Sequence, residues 1–168
     1  WEQETPLEIA VKRGNLPIVI QMTEAGSDLE SLTLTGETPV MLAANAGWDV
    51  VIRYLLSQRV SVKRCNQEGA SALALAAAKG HTASLKALLE VDRSMCGVQD
   101  GLGRTPLALA SSGGHEASVR LLAAADPSQV NVADNQGLTP FFKASRGGHP
   151  GAMKALLDYG ATGESLAQ

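Results

Sequence analysis

Much that would mark a catalytic, secreted or membrane protein is missing from this chain. Aromatic residues make up 4% of its 168 positions, so its core must be assembled from alanine and branched aliphatic side chains. The two cysteines, Cys65 and Cys96, form no C-x-x-C pair, which rules out a disulfide framework. The longest apolar stretches, such as Ala70 to Ala78, fall far short of the roughly 20 residues that cross a bilayer. No charged leader followed by an apolar run marks a secretory signal, and no Asn-x-Ser/Thr site occurs. A net charge of −3 gives no general attraction to nucleic acid. Phosphate-binding G-x-x-x-x-G-K, nucleophile-elbow G-x-S-x-G and zinc-protease H-E-x-x-H patterns are all absent. The expectation is an intracellular, cytoplasmic module (with the nucleus open) that has no membrane insertion, cofactor, metal or catalytic site.

What the chain does have is a repeat. Thr5-Pro6, Thr38-Pro39, Ser71-Ala72, Thr105-Pro106 and Thr139-Pro140 follow one another at steps of 33, 33, 34 and 34 residues. The residue before proline is steered away from helix, which suits an N-cap. Its hydroxyl can accept from a free N–H of the first turn, and proline at the first helical position has no N–H to lose. Each copy therefore starts a helix. A glycine stands nine residues after each start: Gly14, Gly47, Gly80, Gly114 and Gly148. Glycine there can take the left-handed conformation that closes a helix. A second amphipathic run follows, as in Val50-Val51-Ile52 with Leu55-Leu56, or Leu85 with Leu88-Leu89. A turn-rich loop then leads to Gly36, Gly69, Gly103 or Gly137. Such short helices are not stable alone, so the units must stack and share a core. Ala43-Ala44, Ala76-Ala77 and Ala110 stand where helices approach closely.

The pattern G-x-T-P-L-x-x-A-A-x-x-G-H-x-x-x-V-x-x-L-L resembles the ankyrin repeat, with Gly103–Leu122 and Gly36–Leu56 as the best matches. The resemblance covers essentially the whole chain in five copies: 1–32, 33–65, 66–99, 100–133 and 134–168. It implies a single all-α ankyrin-repeat domain, a solenoid of stacked helix-turn-helix units with projecting β-hairpin or loop fingers. Departures from the pattern are specific. The family's histidine after T-P-L is replaced by Glu8, Met41, Ala74, Ala108 and Phe142. One extra residue enters around Met95-Cys96-Gly97 and again around Asp126-Pro127-Ser128. The chain opens at Trp1 just before a cap and ends without a polar closing helix. The expectation is a piece of a longer protein, with Met153, Leu156 and Leu157 partly uncovered.

Several constellations invite chemical readings. His81, His115 and His149 recur with the repeat, but stacked units would hold them about 10 Å apart, whereas zinc takes nitrogens at about 2.1 Å. They are expected to bond neighbouring loops, with Trp48 in the equivalent slot serving loop packing or an exposed anchor. Gly101-Leu102-Gly103 lacks the third glycine and the preceding strand of a dinucleotide site, so it reads as a finger tip. Glu2, Glu4 and Glu8 read as a solvated helix N-terminus.

A recognition surface remains. The resemblance implies that a partner, either another protein or another segment of the same protein, docks on the concave face, with the fragment itself monomeric. Carried over by position, the tips are Leu34, Thr35, Gln67, Glu68, Gly101, Leu102, Asn135 and Gln136. Glu37, Arg104 and Leu138 flank the caps, and Asn45, Lys79, Ser112 and Arg146 lie at the ends of the first helices. Leu34, Leu102 and Leu138 either form an exposed apolar stripe beside Arg104 and Arg146 or pack between fingers. A structural spacer is the alternative role. Asn131 matches the loop asparagine that is hydroxylated in some family members.

Overall fold

The computed structural model describes residues 4–163. Trp1 and Glu2, which figured in the expectations above, lie outside the described residues. Among those described are ten α-helices in five pairs: α1 Pro6–Lys12 and α2 Leu16–Glu24, α3 Pro39–Ala46 and α4 Asp49–Ser57, α5 Ala72–Lys79 and α6 Thr82–Val91, α7 Pro106–Ser112 and α8 Glu116–Ala125, and α9 Pro140–Arg146 and α10 Pro150–Asp158.

Each first helix starts as its sequence requires. Thr5, Thr38, Ser71, Thr105 and Thr139 are all extended, with ψ between 153° and 166°. Their hydroxyls accept from the N–H groups of Glu8, Met41, Ala74, Ala108 and Phe142. Ser71 shows that the hydroxyl does the capping and proline only assists. The five glycines between paired helices all have φ of 67° to 80°.

The first helices pack against one another in one row and the second helices in another, with the core between them. Ala43, Ala44, Ala76, Ala77 and Ala110 are fully buried and let the first row close up. Val51, Ile52 and Leu55 of α4 and Leu85, Leu88 and Leu89 of α6 supply the bulk from the second row. At the last pair, Leu157 is exposed and Met153 half-buried, as expected, but Leu156 is completely buried, because it sits on the inner side of α10.

The two extra residues are absorbed as 3₁₀ turns, Arg93–Gly97 and Pro127–Asn131. Asp92 and Asp126 cap them, each carboxylate accepting from the N–H and hydroxyl of the serine two residues on. These turns bury Met95, Cys96 and Val130 beneath the second helices. Of the two finger forms expected, the loop form is the one present. Among the described residues the only bridge is the isolated Cys65–Ser71 pair, since each finger is a single tight turn, closed by backbone bonds such as Asp100 N–H to Arg104 O, with no ladder beyond it.

Candidate recognition surface

The fingers are built on one polar side chain each. Asp100 Oδ1 accepts from the N–H groups of Leu102 and Arg104 at 3.0 and 2.9 Å. Asp134 Oδ1 accepts from Gln136 and Leu138 at 2.8 and 3.0 Å. Asn66 does the same for Glu68 and Ala70, and Thr33 Oγ1 receives the N–H of Glu37. Short oxygen-bearing side chains hold a turn this way because they reach backbone N–H groups two residues on. Sequence reasoning missed these anchors. Their signal, a Thr, Asn or Asp three residues before each finger glycine, was present at positions 33, 66, 100 and 134.

The tips are then joined into a row. Gln67 N–H donates to Thr35 O at 3.0 Å, Gly101 N–H to Glu68 O at 2.8 Å, and Asn135 N–H to Leu102 O at 3.0 Å. Gln67 also donates from its side chain to Leu34 O at 2.7 Å. Gly103 is fixed by this approach: its φ is +77°, and a β-carbon there would lie 2.2 Å from Asn135 Oδ1.

A second row runs along the opposite ends of the first helices. Trp48 Nε1 donates to Lys12 O at 3.0 Å. His81 bonds Asn45 O at 3.2 Å, His115 bonds Ala78 O at 3.1 Å, and His149 bonds Ser112 O at 3.1 Å, all through Nε2. A carbonyl can only accept, so each Nε2 carries the proton. Each ring lies flat on the preceding unit's glycine, where a β-carbon would sit about 2.5 Å from it at Gly14, Gly80 and Gly114. The rings do bond the neighbouring unit, as expected, but at the last-turn carbonyls of its first helix rather than at a loop, and Trp48 joins them as a fourth rung. Among the described residues no group of three or more His, Cys, Asp or Glu side chains could hold a metal ion.

The candidate contact residues fall into two groups. Leu34 and Leu102 are 68% and 60% exposed, so neither packs between fingers. Thr35, Gln67, Glu68, Asn135 and Gln136 at the tips are exposed, as are Asn45, Lys79, Ser112 and Arg146 at the helix ends. Three others are more enclosed. Leu138 is only half-buried at the base of its finger, so the three-leucine stripe reduces to its two tip members. Arg104 is not a free cation: its Nε and Nη2 meet Asp100 Oδ2 at 2.7 and 2.6 Å, on a carboxylate whose side chain is 2% exposed. Glu37 is half-buried and receives the Thr35 hydroxyl at 3.0 Å. The fourth finger has a parallel pair, Lys143 Nζ to Asp134 Oδ2 at 2.5 Å, with both side chains nearly covered. Burial works against the Asp134 carboxylate, but the ammonium of Lys143 and two N–H donors outweigh it, holding its pKa below the ordinary value. Asn131, exposed beside its 3₁₀ turn, donates to Gly160 O and accepts from Thr162, so its amide fastens the following loop.

An open groove of about 1000 Å³ runs between α1 and the first described finger. It is lined by Glu4, Glu8, Ile9, Lys12 and the stretch Leu32 to Thr35. Ile9 and Leu32 join Leu34 as exposed apolar side chains there. Neither was singled out from sequence, because leucine and isoleucine beside a helix cap read as core.

Among the described residues no helix is long and apolar enough to cross a membrane. A family model for ankyrin repeats (three copies) matches residues 7–95 and again 85–165. The chain is 36% identical over 88 residues to ankyrin repeat domain-containing protein 63 of Homo sapiens, which covers 50% of this chain and 23% of that protein. It is also 32% identical over 91 residues to the transient receptor potential cation channel subfamily A member 1 homolog of Caenorhabditis elegans, covering 54% of this chain and 7% of that one. The chain thus aligns with less than a quarter of the length of these curated relatives. Ankyrin repeats generally mediate protein–protein interaction, and proteins built from them are generally non-enzymatic adaptors. With its capped helix pairs, left-handed glycines and stitched fingers, and with family matches that together run from residue 7 to residue 165, this chain belongs to the ankyrin repeat family.

Proposed function

We propose that this array is a non-catalytic recognition module that binds a partner protein through its finger tips and the C-terminal ends of its first helices. The observation that carries this reading is the contrast within each finger. The backbone is held by anchors and cross-unit bonds, while Leu34, Leu102, Glu68 and Gln136 project from it into solvent. Prearranged side chains lose little freedom on binding, which favours affinity. Exposed leucines on such a frame supply the apolar area that a recognition surface needs. Lys79 and Arg146 are the cations of the set with no ion-pair partner among the described residues. Arg104 acts instead by bracing the third finger through Asp100. Residues 1–168 form one domain on this reading, monomeric as a fragment. The free thiols of Cys65 and Cys96 suit an intracellular, cytoplasmic setting.

The reading is tested by capture from native lysate with the intact chain and with a triple variant, Leu34→Ser, Leu102→Ser and Arg146→Ala. All three positions are exposed, so the fold should persist. The partner should be retained by the intact chain and lost from the variant. Equal retention by both would refute the assignment. A second reading, as a spacer or internal docking surface of a longer protein, is favoured by the small share of each relative that the chain matches. It predicts no specific capture by either form.

A further inference from the structure

The groove between α1 and the first described finger has a feature that the other fingers do not share. Glu8, which occupies the place of the family's histidine, is only 7% exposed yet lines this groove. Its backbone N–H is satisfied by Thr5, but its carboxylate has no hydrogen bond or ion pair among the described residues. An unpaired carboxylate that lines a groove offers an incoming cation a charge to meet. The groove offers no such cation of its own, because Lys12 is paired with Glu4. Beside the carboxylate stand exposed Ile9, Leu32 and Leu34. Charge over this part of the chain is complementary to a basic ligand: from Trp1 to Glu37 there are seven acidic residues against Lys12 and Arg13.

We infer that this groove takes an extended segment of a partner protein that places a lysine or arginine on the Glu8 carboxylate and apolar side chains against Ile9, Leu32 and Leu34. The inference rests on the recognition role proposed above and names the chemistry of what is recognised. The cation would complete the pair that Glu8 lacks. The apolar neighbours would cover the leucines, and excluding water would strengthen the pair. The wide, open shape of the groove suits an extended backbone rather than a small molecule.

The test uses the whole chain and three fluorescein-labelled twelve-residue peptides of alternating serine and leucine, differing only at one central position: lysine, norleucine or glutamate. Fluorescence anisotropy should show the lysine peptide binding at least about tenfold more tightly than either of the others. That preference should vanish in Glu8→Gln, whereas Leu34→Ser should weaken the lysine and norleucine peptides together. Leu34 is exposed, so its variant remains informative even if Glu8→Gln alters folding. Three equal affinities, or a lysine preference that survives Glu8→Gln in a folded protein, would overturn the inference. Lysate capture with Glu8→Gln, Leu34→Ser and the Leu102→Ser/Arg146→Ala pair separates this from the broader reading. A partner lost only with the latter pair leaves recognition intact and the groove assignment wrong. A partner indifferent to every variant defeats both.

Discussion

Asp134 shows how one side chain can serve both local and longer-range structure. One oxygen closes its finger and the other takes Lys143 from α9, and the resulting pKa lies below the ordinary carboxylate value. A depressed folded pKa gives stability that is complete above the unfolded value, about 3.9, and is lost as pH falls through the folded one. The melting temperature of the intact chain should therefore exceed that of Asp134→Asn at pH 7, with the gap narrowing below about pH 4 as the carboxylate protonates. A gap independent of pH would mean that the ion pair is not what holds the finger. The cysteines give a second check at this scale. Burial pushes the Cys96 thiol up to about 11, whereas Cys65 is exposed and its pKa is raised less by partial burial. With a thiol-specific reagent at pH 8, Cys65 should react in the native protein and Cys96 only after denaturation. Simultaneous reaction of both would contradict the buried position of Cys96 within its 3₁₀ turn.

Among the elements, the rungs between units should matter more than the caps that recur within them. Each cap contributes about 1 kcal/mol to its own helix. The ring-on-glycine rungs tie one unit to the next, and their two partners are interdependent. Gly80 has a φ of +73°, and a β-carbon there would meet the His115 ring at 2.5 Å. Gly80→Ala should cost about 1–3 kcal/mol from backbone strain, plus the clash. His115→Ala should cost about 1–2 kcal/mol, leaving the Ala78 carbonyl without its donor. With the ring removed the clash disappears, so denaturant unfolding of the double variant should show a cost smaller than the sum of the two singles. Strict additivity would argue that ring and glycine are not in contact. These elements also show what a single sequence can reveal. Caps and left-handed glycines were legible because Thr-Pro and Gly act within four residues of themselves. The rungs were only half legible: the histidines were visible, but which carbonyl each would reach depends on stacking. The pairing of Arg104 went unseen because Asp100, four residues back, was not weighed as the buried anchor of the finger. Ile9 and Leu32 went unnoticed, and Glu8, read as solvated, is only 7% exposed, because burial and exposure between units are properties of the array and not of any one unit.

At the scale of the whole molecule, a repeated frame is combined with side chains that do not repeat. Stacking two rows of short helices buries a continuous core from small residues, and the fingers leave that core as a connected row. Because the frame is bonded through backbone and buried polar groups, changes at Leu34, Leu102 or Arg146 can alter what is bound without disturbing the fold. The charge is uneven, acidic at the first units and mildly basic beyond, so the two ends of the row differ electrostatically. On the proposed reading the surface carries two chemistries, an acidic-apolar groove beside α1 and the exposed Arg146 in the last unit. Hydrogen–deuterium exchange of the chain, free and bound to its captured partner, tests this most directly. Recognition through the fingers and helix ends predicts new protection at 34–37, 67–70, 101–104 and 135–138 and at the C-terminal ends of α3, α5, α7 and α9, with α4, α6 and α8 unchanged. Protection confined to the outer helices, with the fingers exchanging as in the free chain, would contradict it.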